Sequence, residues 1–204
     1  ANCVTYDCYV GLSVNNVAFV DGTITLSNIR SIACAYDGFA FVSSSNIQMS
    51  NCSVGHNNAA KYSNSAVNID NCSNVNISNF IGRLGTVSSV AWGIRAINSS
   101  VININNSQLS NWLYGIFITN GSQIVLNGNT CSNNYSRGIY VLGADLVVIS
   151  NNCCNVDGNV GITDAGIYSN NSSGYALHNI TGNMCSQGGG GVQEYGIYAN
   201  VTDN

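Results

Sequence analysis

Proline is absent from all 204 residues. A residue without an N–H has no place in a strand that is hydrogen-bonded on both sides, so its absence fits a fold built of internal strands. Charge is almost as scarce: 7% of residues are Asp, Glu, Lys or Arg, the net charge is −4 and the pI is near 4.6. With five basic residues and no basic run, nucleic acid is not an expected partner. No apolar stretch approaches the roughly 20 residues of a membrane helix, so no membrane span is expected. Two histidines, and nine cysteines without a Cys-x-x-Cys spacing, give no zinc pattern, and neither Walker nor dinucleotide glycine motifs occur. No metal and no cofactor are therefore expected.

What the chain has instead is a recurring phrase. It reads Gly93-Ile94-Arg95-Ala96, Gly115-Ile116-Phe117-Ile118, Gly138-Ile139-Tyr140-Val141, Gly166-Ile167-Tyr168-Ser169 and Gly196-Ile197-Tyr198-Ala199. A second apolar segment keeps step with it, its last apolar residue being Leu26, Met49, Ile77, Ile104, Leu126, Ile149 and Ile180 in turn. Val75, Ile102, Ile124 and Val147 stand two residues before the middle four, the period of a strand with one buried side. Self-similarity at steps of 22 to 31 residues marks a solenoid, whose coils bury their apolar sides only by stacking. The polar remainder, rich in Asn, Ser, Thr and Gly, suits tight turns. About seven coils at strand spacing make a rod on the order of 35 Å long.

The register continues past the second strand. Asn129, Asn152 and Asn183 stand three residues beyond the anchor and read as an asparagine ladder. Leu109, Cys131, Cys154 and Cys185 stand five beyond it and read as an interior stack. Buried thiols serve there as small hydrophobes. Neighbouring coils also bring Cα atoms within the roughly 4.4–6.8 Å that permits a disulfide, so a bridge between neighbours stays open.

The stretch Gly138 to Asn152, GIYVLGADLVVISNN, is similar to the parallel β-helix repeat of the pectate-lyase-like superfamily, and weaker copies cover nearly the whole chain. The resemblance implies a right-handed helix of three sheets. Members include polysaccharide lyases, glycoside hydrolases, uronan epimerases, adhesins and the tailspikes and fibres of phages. It carries no catalytic motif onto named residues here. The expected fold is thus an all-β, right-handed, single-stranded parallel β-helix, one domain over residues 1–204. Another coil opens at Gly196 without a polar cap, so a segment of a longer or oligomeric protein is expected.

Steps of 27 to 31 residues require insertions, placed at 52–65, 80–92, 153–165 and 184–195, all at one corner. Lys61, Arg83, Asp157, Asp164 and Glu194 fall in them with His56, Tyr62 and Trp92, and Trp112, Tyr114, Tyr135 and Arg137 take the same corner of the short coils. Loops along one edge of a rigid scaffold concentrate binding residues, although loops are also simply its wettest part. The four glycines from Gly188 to Gly191 read as a lid or loop tip.

Beside that corner, Arg95, Phe117, Tyr140, Tyr168 and Tyr198 follow the Gly-Ile pairs, and strand parity points them outward. Such a row is a platform for the C–H faces of sugars, a subunit seam or a plain stacking ladder. The candidate glycan-binding set is Arg95, Phe117, Tyr140, Tyr168, Tyr198, Trp92, Trp112 and Arg137. Should the protein be an enzyme, Asp157, Asp164 and Glu194 are its candidate catalytic carboxylates, at a separation within reach of glycosidase chemistry. A lyase would instead use a base beside Lys61, Arg83 or Arg137. His178 aligns with buried Val147 and Ile124, and so reads as a bulge or a hydrogen-bonded core residue. Eleven Asn-x-Ser/Thr sequons, including Asn51, Asn76, Asn120, Asn179 and Asn200, are accounted for mostly by the abundance of Asn.

The expected function is polysaccharide or cell-surface glycan recognition by an extracellular or virion-surface protein resembling tailspikes, with a homotrimer as its assembly. A polysaccharide lyase or glycoside hydrolase, and a structural adhesin or fibre shaft without ligand, are the alternatives.

Overall fold

The computed structural model describes residues 3–17, 22–56, 65–86, 89–156, 165–171, 177–187 and 195–201. These form three parallel sheets of eight, eight and seven strands, and no helix occurs among the described residues. The first sheet holds Cys3–Tyr6, Ile29–Ile32, Ser53–His56, Ile81–Leu84, Gln108–Ser110, Thr130–Asn134, Cys153–Val156 and Met184–Gln187. The second holds Leu12–Asn15, Phe39–Val42, Ser65–Asp70, Trp92–Ile97, Tyr114–Thr119, Arg137–Leu142, Ala165–Asn171 and Tyr195–Val201. The third holds Ile24–Ser27, Ser45–Ser50, Ser73–Ser78, Ser100–Asn105, Ser122–Asn127, Asp145–Ser150 and His178–Thr181. One coil takes one strand from each sheet in turn. The chain is therefore an all-β parallel solenoid, as the repeat predicts.

Register stacks like on like. Val75, Ile102, Ile124 and Val147 are successive partners in the third sheet, with Ile77, Ile104, Leu126 and Ile149 beside them. All eight are buried, and with Ile94, Ile116, Ile139 and Ile167 of the second sheet they belong to one continuous core cluster. Each strand contributes only two or three inward residues, so burial depends on the coil above and below.

The corners explain the asparagine content. Between the third and first sheets, Asn28, Asn51, Asn79, Asn106, Gly128, Asn151 and Gly182 all have φ between +51° and +66°. Asn and Gly adopt this left-handed region at least cost. Behind this column runs the inner ladder: the Asn129 amide donates to Asn152 Oδ1 and the Asn152 amide to Asn183 Oδ1, each at 3.0 Å. The same amides also donate to the carbonyls of Ile104 and Leu126 at 2.8 and 3.0 Å, so the buried polar groups are paired. Leu109, Cys131, Cys154 and Cys185 stack as register partners, as expected. Elsewhere the Sγ atoms of Cys8 and Cys34 lie 2.7 Å apart as free thiols.

Two expectations are modified and a third is settled. The starts of the four insertions, Ser53–His56, Ile81–Leu84, Cys153–Val156 and Met184–Gln187, are first-sheet strands, because inward Val54, Leu84 and Cys154 fill the core there. All four insertions do pass from the first sheet to the second, one corner as expected, but they are not the only long connections: others join the second sheet to the third after Asn15 and after Asn171. His178 takes the place of an apolar residue as register partner of Val147. Its Nε2 donates to the Ala144 carbonyl at 2.7 Å, so in the neutral ring Nδ1 accepts from the Ser169 hydroxyl, also at 2.7 Å. That makes it the hydrogen-bonded residue of the two alternatives. Of the sequon asparagines, Asn51, Asn76 and Asn120 are exposed, whereas Asn134 and Asn171 are buried.

Candidate functional site: the aromatic and arginine face of the second sheet

The phrase around Gly-Ile builds this face. In four coils the glycine and the isoleucine after it are both buried, two successive inward residues where a regular strand would alternate. The glycine is required by close approach: a Cβ on Gly93 would stand 2.3 Å from the carbonyl oxygen of Gly115, and one on Gly115 would stand 2.7 Å from that of Gly138. Because the pair takes up one inward step, the residue before the glycine and the residue after the isoleucine lie on the same outer side. Two columns result. Trp92, Tyr114 and Arg137 are register partners in one, and Asn68, Arg95, Phe117, Tyr140, Tyr168 and Tyr198 are partners in the other.

The rings touch from coil to coil. Centroids are 6.1 Å apart for Trp92–Phe117, 5.6 Å for Tyr114–Phe117 and 5.3 Å for Phe117–Tyr140. The run continues at 5.0 Å for Tyr140–Tyr168, edge to face, and 4.7 Å for Tyr168–Tyr198, stacked at 10°. Edge-to-face and offset contacts of this kind satisfy the ring quadrupoles. All six rings are half-buried.

Two guanidiniums are set into the row. The Arg137 guanidinium lies against both Tyr140, at 4.4 Å, and Tyr168, at 4.5 Å, is 5.6 Å from Tyr114 and donates to the Tyr114 hydroxyl at 3.4 Å. Arg95 lies 5.3 Å from the Trp92 ring and donates to Asn68 Oδ1 at 2.8 Å. Arginine suits such places because its flat, delocalised cation stacks on ring faces. Burial pushes the Tyr140 phenol above its ordinary pKa, and neighbouring Tyr114 and Tyr168 add to this while Arg137 opposes it.

A carboxylate sits at the upper end of the first column. Asp37, 7% exposed, precedes Phe39 by two residues as Ser65 precedes its partner Val67, and its Oδ1 accepts from the Ser65 N–H at 2.8 Å. Burial raises its pKa, with the Ser65 hydrogen bond and the Arg95 charge pulling the other way. Asp37, Asn68 and Tyr114 were not in the set chosen from sequence. Aligning Asp37-Gly38-Phe39-Ala40 with the Gly-Ile phrases places Asp37 in the column, a signal masked by Phe standing where Ile recurs.

The structure brings together Trp92, Arg95, Phe117, Arg137, Tyr140, Tyr168 and Tyr198 of that set. It removes Trp112, which is 0% exposed and donates its ring N–H to the Gly82 carbonyl at 3.1 Å. Trp112 therefore plugs the corner from inside and cannot meet a glycan. Arg83 is not beside Arg137: it lies on the outer face of the first sheet. Asp157, Asp164, Glu194, Lys61, Tyr62 and Gly188 to Gly191 lie outside the described residues. Among the described residues no cluster of three His, Cys, Asp or Glu side chains could hold a metal ion. No family model, curated protein or solved structure matches the chain.

Proposed function

We propose that this solenoid recognises a polysaccharide along the aromatic face of its second sheet. The observation that carries the reading is the unbroken run of six rings from Trp92 to Tyr198, with Arg95 and Arg137 set into it. Rings repeating once per coil offer an extended chain of sugars a series of equivalent weak contacts parallel to the rod. Affinity then comes from their number rather than from one deep pocket. Tyr hydroxyls add hydrogen bonds to sugar hydroxyls, and the two cations bias the face toward sugars bearing partial or full negative charge. The likeness of residues 138–152 to the pectate-lyase-like repeat supports the same reading and, with it, an extracellular or virion-surface protein of tailspike type, assembled as a trimer.

The test is a glycan array probed with the chain and with Tyr168→Ala and Tyr140→Ala variants, each also sized in solution. The expected result is retention of an unbranched glycan by the parent and a loss of at least fivefold in each variant, with assembly unchanged. Full retention alongside a change in assembly would make the row a subunit seam instead. New reducing ends or unsaturated uronates on a bound ligand would make the protein an enzyme.

A further inference from the structure

Two of the five basic residues lie away from the aromatic face. Arg30 and Arg83 are both exposed on the outer side of the first sheet and line one open cavity of about 570 Å³. Their placement follows from register: Arg30 pairs with Ser53, and Arg83 pairs with Gly55 on the strand between them. That sets their strands on the order of 10 Å apart. Gly55 has no side chain to fill the interval. A Cβ built there would meet only the Arg30 Nη2, at 4.0 Å, so the strand between the two guanidiniums is an open notch floored by backbone.

Among the described residues neither guanidinium has an ion-pair or hydrogen-bond partner, and none of the described lining residues is acidic. Two unpaired like charges over one notch are unusual in a chain of net charge −4. The trough does not stop there. Arg83 also lines an adjoining cavity of about 340 Å³ with Gln108, Ser110, Thr130 and Ser132, whose groups can donate to and accept from hydroxyls.

We propose that this trough is an anion-binding site, in which Arg30 and Arg83 clamp a carboxylate or sulfate group of an acidic polysaccharide over Gly55. The neighbouring Gln108, Ser110, Thr130 and Ser132 then hydrogen-bond the uncharged part of the next sugar. Guanidinium forks match both oxyanions with paired N–H···O bonds, and an anion between the two cations also relieves their repulsion. The inference names acidic glycans as the ligand class, and to that extent it rests on the glycan-recognition reading. The site itself is on another sheet and does not use the aromatic row.

The experiment measures binding of the whole chain to polygalacturonate, dextran sulfate and uncharged dextran at low and at physiological salt, with sodium sulfate as free-anion competitor. Three variants are compared: Arg30→Gln with Arg83→Gln, Gly55→Glu, and Tyr168→Ala. Gly55→Glu has open space to fold into, and its carboxylate closes the notch from within. The expected result is binding of at least one polyanion, stronger at low salt and lost at least tenfold in the double variant and in Gly55→Glu. Preference between the two polyanions identifies carboxylate or sulfate ester, and full displacement by millimolar sodium sulfate would reduce the site to one for free oxyanions. Equal binding of polyanion by parent and double variant, or none by the parent, overturns the proposal. The aromatic-face reading fails separately, if uncharged glycans bind Tyr168→Ala as well as the parent.

Discussion

Val101 has a φ of +53°, at a place where the neighbouring coils carry Asn74 and Gln123, both also left-handed. A β-branched side chain in this region crowds its own backbone at a cost of about 1–2 kcal/mol. Val101→Asn removes that crowding and extends the short amide row in which Asn74 donates to Asn46 at 2.7 Å. It is expected to stabilise the chain by about 1 kcal/mol, a rise in melting temperature of about 2–4 °C by calorimetry. Tyr140 carries a pH prediction. Its phenol is raised by burial, so the neutral form is favoured more in the folded chain than in the unfolded one. The contribution is whole below the unfolded value near 10 and is lost as pH rises through the folded value. Denaturant midpoints should fall more steeply above about pH 10 in the parent than in Tyr140→Phe, which has no proton to lose there. Equal slopes would remove Tyr140 as a titrating contributor.

At the scale of the element, the Gly-Ile phrase interlocks with the cysteine stack. A Cβ on Gly138 would lie 2.8 Å from the Gly166 carbonyl oxygen and 2.9 Å from the Cys154 Sγ, while one on Gly166 would lie 2.8 Å from the Cys185 Sγ. Small residues on both sides of the first corner let the first and second sheets close on each other. Gly138→Ala overpacks that contact against backbone, which cannot yield as a side-chain tip can. It is expected to cost about 1–3 kcal/mol, read as a lower denaturant midpoint, and the companion change Cys154→Ala should restore part of the loss. The strands themselves were legible in the sequence because inward Val, Ile and Leu recur at fixed spacing, and so was the ladder from Asn129 to Asn183. Trp112 was not legible as core: at a corner neither period applies, and only the tertiary structure shows the indole turned inward, its N–H bonded to the Gly82 carbonyl of the preceding coil.

On the scale of the whole molecule, the coils present two working faces at once. The aromatic row and the Arg30–Gly55–Arg83 notch lie on different sheets, so variants in one are expected to act independently of variants in the other. A solenoid suits such a division, since each residue type repeated along the chain becomes a line along the rod. Local propensity and nearest-neighbour stacking are short-range, and the sequence by itself therefore determined the all-β solenoid, about seven coils, the inward columns, the asparagine ladder and the outward row from Phe117 to Tyr198. Only the tertiary structure decided which residues join that row from before the glycine, because two successive inward residues break the parity on which the sequence argument relies. Only it placed Arg30 beside Arg83 across Gly55, since lateral neighbours in a sheet depend on the register between coils of unequal length.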